Sequence, residues 1–144
     1  MARWLIIFYS EPFDTGDVDV FCYLGQKTLL FHLAPIWQYL ESLGYKSKQG
    51  WMVIEGVPVQ FLPPVGPLEE EAMKTAITVP VEGVSSRVFQ LEYAMAIKVQ
   101  TGRAKDWNHI EIALDSAEPD MAKFESILEK FGLIQKWRLY RDRT

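Results

Sequence analysis

The chain has 144 residues, 49% apolar and 24% charged, the balance of an ordinary globular protein long enough for one core and short for two. Its formal charge of −4 leaves no overall basic footprint for non-specific nucleic-acid binding, and the single cysteine, Cys22, excludes an intrachain disulfide. No apolar run approaches the roughly 20 residues that span a bilayer, and Trp4 to Tyr9 is too short for a signal-peptide core, so a cytoplasmic protein with no membrane partner is expected.

Asp17 to Leu24 reads DVDVFCYL, alternating with a period of two, and predicts a strand. Thr28 to Leu43 sets Leu29, Leu30, Leu33, Ile36, Trp37, Leu40 and Leu43 at three- and four-residue spacings ahead of Gly44, the pattern of a helix and its stop. Trp51 to Ile54 and Val57 to Leu62, separated by Glu55-Gly56, predict a β-hairpin with positive φ at the glycine. Pro63, Pro64, Gly66 and Pro67 form a stiff connection into a helix over Leu68 to Ala76, whose Glu69, Glu70 and Glu71 complement its dipole.

Ile77 to Val81 and Val84 to Phe89, joined through Glu82-Gly83, predict a second hairpin. Helices follow over Leu91 to Thr101, Lys105 to Ser116, Pro119 to Phe131 and Leu133 to Arg141. The expected fold is one α+β domain over 1–144, a mixed or antiparallel sheet with packed helices. Its mixed α/β part covers about 1–89 and its helical part about 90–144. From Lys130 onward five basic residues face one acid, Asp142, which reads as a solvated last helix complementing its own dipole.

On a strand, residues two apart share a face, so Asp17 and Asp19 present two carboxylates side by side. Two such groups repel unless a proton or a cation intervenes, and oxygen ligands select Mg²⁺ or a similar hard ion. Phosphoryl transfer uses such ions to activate the attacking oxygen and stabilise the leaving one.

The ordered combination of TGDVDVF, the helix ending in ESLGY, the hairpin WMVIEGVPVQFLPP and the later LEYAMAIKVQTGRAKDWNHI resembles the nucleotidyltransferase superfamily, in its minimal and abortive-infection toxin branch. The resemblance spans roughly Tyr9 to Leu114. It implies Mg²⁺-dependent transfer of a nucleoside monophosphate from an NTP to an acceptor hydroxyl, with Asp17 and Asp19 as catalytic and metal-holding residues and Lys98 and Lys105 toward the nucleotide. Nucleic acid enters only as an acceptor.

Three positions depart from the family pattern. Its third carboxylate is matched by Gln60, which cannot act as a general base. Its glycine pair falls near Ala2 and Arg3, and the basic residue before the Asp pair is matched by Phe13. The chain also begins where the family has a preceding helix, implying a truncated start or a degenerate site. The alternative is therefore a non-enzymatic descendant acting as a binding or interaction module, such as a toxin–antitoxin component or a homo-oligomer.

Other residues have plainer readings. Lys98, within AMAIKV, needs a carboxylate or a bound phosphate as counter-charge, or a route for its amine to water. Arg103 and Lys105 read as part of the connection after Gly102, Asp106 as lying near a helix start, and His109 as a helix residue able to move a proton if it faces the Asp pair. Trp37, Trp51, Trp107 and Trp137 read as core.

Overall fold

The computed structural model describes residues 3–6, 18–23, 33–81 and 83–143, and divides the chain into two compact units. The first comprises Met1–Val65 with Ala76–Phe89, and the second Gly66–Thr75 with Gln90–Thr144. Together they make an α+β protein. No helix among the described residues is long and apolar enough to cross a membrane.

The first unit holds a five-stranded mixed sheet built from β1 (Arg3–Ile6), β2 (Val18–Tyr23), β3 (Lys46–Lys48), β4 (Trp51–Ile54) and β5 (Val57–Leu62), in the order β1-β2-β5-β4-β3. Among the described strands only β2 and β5 run parallel, and α1 (Ala34–Ser42) lies in the crossover that such a pair requires. Period-two alternation places Val20 and Cys22 of β2, Met52 of β4, and Val59 and Phe61 of β5 on one face, where Ile36 of α1 completes a buried cluster. Leu33, Trp37 and Leu40 pack at its margin, Trp37 edge-on to Phe61 at 6.4 Å.

The helix begins at Ala34 rather than upstream, with Leu33 as its N-cap and Pro35 in its first turn. Proline has no amide to donate and its ring clashes with a preceding helical turn, so Pro35 is a start and not an interior position. The predicted stretch Thr28 to His32 lies outside the described residues. Two tight hairpins join β3, β4 and β5. Gln49 and Gly50 have φ of 53° and 86°, and Glu55 and Gly56 have 50° and 83°, the paired positive values that match the twist of the flanking strands. A separate hairpin, β6 (Ile77–Val81) with β7 (Val84–Val88), completes the unit, and both its strands are edges, so Pro80 is tolerated.

The second unit is helical, with α2 (Pro67–Lys74), α3 (Leu91–Thr101), α4 (Ala104–Ser116), α5 (Met121–Lys130) and α6 (Ile134–Arg141). Glu92, Tyr93, Ala94, Met95, Ala96 and Val99 are all buried, so α3 is covered on nearly every side and forms the centre against which α2, α4 and α5 pack. Phe124 and Leu128 of α5 are fully buried, and Trp137 of α6 meets Phe124 edge-on at 5.2 Å. The basic tail is largely engaged within this unit: Lys130 binds Glu71, Lys136 donates to the Gln100 carbonyl at 2.8 Å, and Arg141 lies 3.6 Å from Glu111.

Glu92 is a buried charge whose partners come from α5. Lys123 donates to it at 2.8 Å, as does the Asp120 amide at 3.0 Å, and Lys123 also reaches Gln90. Burial pushes the Glu92 carboxyl up, but these bonds outweigh it and hold the group below its ordinary value. A lowered folded pKa means that the unfolded chain takes up the proton first. The contribution is therefore complete above about pH 4.3 and lost as pH falls through the lower folded value. Urea midpoints between pH 6 and 3 are expected to fall less steeply for Glu92→Gln than for the parent; equal slopes would remove Glu92 from the acid response.

Candidate functional site

Strand β2 carries Asp19 on the face opposite the buried cluster, because its neighbours Val18 and Val20 point toward Ile36 and Met52. In the parallel pairing of β2 with β5, Asp19 sits directly opposite Gln60, flanked by Val18 opposite Val59 and Val20 opposite Phe61. Residues in register on neighbouring strands share a face and stand about 4.8 Å apart. The carboxylate and the amide are therefore adjacent, and both are half-buried. Further along the same face Phe21 is buried and meets Phe89 with ring centroids 5.2 Å apart, closing that end of the strip.

Asp17, Phe13 and Ala2 lie outside the described residues; Arg3 is the first residue of β1. The donor chemistry of Asp19 and Gln60 suits one hard cation, since both offer oxygen. Among the described residues no three His, Cys, Asp or Glu side chains gather to hold a metal. Cys22, on the other face, is fully buried with its thiol 3.9 Å from the Leu62 carbonyl; burial pushes its pKa up to about 11, so it stays protonated and is no nucleophile.

The second unit assembles a different group. Gly102, in the left-handed region at φ 64°, ends α3, and Arg103 opens α4 as its N-cap. Asp106, 1% exposed, accepts from the Arg103 backbone amide at 3.1 Å and from its guanidinium at 2.7 and 3.2 Å. That closes a capping box whose acid is also ion-paired. Burial raises the Asp106 carboxyl, but the Arg103 side-chain and backbone bonds outweigh it and leave the group below the usual carboxylate range.

Lys98 reaches the same place from α3, with its Nζ 4.0 Å from Asp106 Oδ1 and 3.0 Å from His109 Nδ1. An ammonium has only hydrogens to offer, so Nδ1 accepts and the ring proton of neutral His109 resides on Nε2. The counter-charge expected for Lys98 is thus a carboxylate of its own unit. Lys98 and Arg103 together exceed the charge of Asp106, so the cluster remains cationic and its chemistry suits an oxyanion.

Asp19 and Gln60 thus come together in the first unit, and Lys98, Asp106 and His109 in the second, with Lys105 exposed on the first turn of α4. Trp137 is buried and Trp37 lines the sheet core, as expected, whereas half-buried Trp107 stacks on Tyr140 at 4.1 Å. Trp51 departs from its expected core role. It is half-buried and alternates with fully buried Met52, so it points away from the sheet core. Glu69 also departs from a purely dipole-compensating role: it is 3% exposed and accepts from Gln100 at 2.6 Å. The chain matches no family model and no curated protein.

Proposed function

We propose that the chain is a nucleotidyltransferase-type protein that binds an NTP with one Mg²⁺ and passes its nucleoside monophosphate to an acceptor hydroxyl. The observation that carries this reading is the register of Asp19 with Gln60. The position expected to hold the family's third carboxylate is the direct strand partner of the second aspartate, on the same sheet face. Asp19 and Asp17 would hold the ion, which when bound neutralises phosphate charge. In the transfer, the acceptor oxygen bonds to the α-phosphorus, the bond from that phosphorus to the α–β bridging oxygen breaks, and pyrophosphate leaves.

Gln60 can orient the attacking hydroxyl through its amide but cannot take the proton, which passes to solvent. Asp19→Asn is expected to weaken Mg²⁺-dependent NTP binding, read by calorimetry, about ten- to hundredfold, from losing a charge-assisted contact of about 1.5–3 kcal/mol. An unchanged affinity would defeat the reading. The neutral Gln60 supports a second reading, a catalytically silent nucleotide-binding or interaction module; NTP binding without any transfer to oligonucleotide or protein acceptors would select it.

A further inference from the structure

The Asp19–Gln60 pair does not end at β5. Strand β4 meets β5 with Met52 opposite Val59 and Val53 opposite Pro58, and continuing that register by one residue sets Trp51 opposite Gln60. Strand β3 meets β4 with Lys48 opposite Trp51. A single row therefore crosses four strands: Asp19, Gln60, Trp51, Lys48. All four lie on the face away from Met52 and Val59, and the row runs about 14 Å at the usual strand spacing. Lys46 stands two residues from Lys48 on the same face, about 7 Å along the edge.

Lysines on an edge strand are ordinary protection against strand addition. That does not account for an indole on the non-core face beside them, in line with a carboxylate and an amide. Trp51 is half-buried, whereas Lys46 and Lys48 are exposed. An aromatic surface flanked by two ammonium groups is what single-stranded nucleic acid requires, because every base has a face to stack and every linkage a negative charge. The chain as a whole is acidic, so this attraction is local. A local attraction suits the end of one strand better than a long duplex.

We propose that Trp51, Lys48 and Lys46 form a platform for the end of a single-stranded polynucleotide, directing its terminal hydroxyl toward Asp19 and Gln60. As an acceptor platform it rests on the transferase reading above; as a binding surface it does not.

The test is anisotropy of a labelled oligouridylate of roughly ten nucleotides with the full chain, with NTP and Mg²⁺ binding measured separately. Trp51→Ala is expected to weaken oligonucleotide binding about five- to hundredfold, while Trp51→Phe retains most of it. Changing both Lys46→Glu and Lys48→Glu is expected to flatten the slope of log K against log salt by about 1.4. These exposed lysines keep the test informative should Trp51→Ala unfold. NTP affinity stays the same throughout. The proposal is overturned by a parent chain that ignores the oligonucleotide, by variants that bind it unchanged, or by transfer of nucleotide onto a polypeptide instead. A parent that binds oligonucleotide through Trp51 but no NTP removes the transferase reading and leaves the platform; NTP binding without oligonucleotide binding does the reverse.

Discussion

Gln60→Asp is expected to raise the rate of nucleotide transfer about a hundredfold, because a positioned general base contributes about 10²–10⁴ and the present side chain contributes none. The substitution shortens the side chain by one methylene and falls directly opposite Asp19 at a half-buried position, so the sheet should accept it. It also adds the negative charge that a second divalent ion needs. Transfer from an α-labelled NTP measures the effect, and the pH profile should gain an ascending limb from the new carboxylate. A rate unchanged from the parent would mean that position 60 does not face the reacting hydroxyl.

The second large effect is on stability. Asp106→Ala removes the acid of the α4 capping box, its two bonds from the Arg103 guanidinium and the carboxylate 4.0 Å from Lys98. Breaking a buried pair on one side costs about 3–5 kcal/mol, but Arg103 is well exposed and reaches water, so about 3 kcal/mol is expected, or roughly 10 °C in Tm. Arg103→Ala should cost less, since Asp106 keeps its backbone donor. A melting curve within about 1 °C of the parent for Asp106→Ala would show that the box is dispensable.

The hairpin of β4 and β5 was readable because two runs rich in β-branched residues flank Glu55-Gly56, and both strands have the predicted limits. Strand β3 was not, because Lys46-Ser47-Lys48 contains no apolar residue and is exposed throughout. Its only local signal was the Gln49-Gly50 turn. Pro35 fixes the start of α1 at Ala34 among the described residues, where proline chemistry overrides an apolar period that continues upstream in the sequence.

For the site, alternation within one strand was enough to put Asp19 on the face away from the buried cluster. Neither the row from Gln60 to Lys48 nor the facing of Lys98 with His109 could be read the same way. Strand register and helix-to-helix packing depend on contacts that no short segment encodes, and Trp51 inside an apolar run looks like core until its partner strand is known.

The chain changes unit three times, near Val65, Thr75 and Phe89, because α2 belongs with the helices although two strands follow it. A protease cut at any one of these links leaves the pieces still tethered or still sharing a core. Expressing 1–89 alone would strand α2, baring Leu68 and Glu69 that α3 otherwise helps to cover. The two compact units are thus interleaved in the gene, and dissecting them calls for a circularly rearranged or co-expressed design rather than a stop codon.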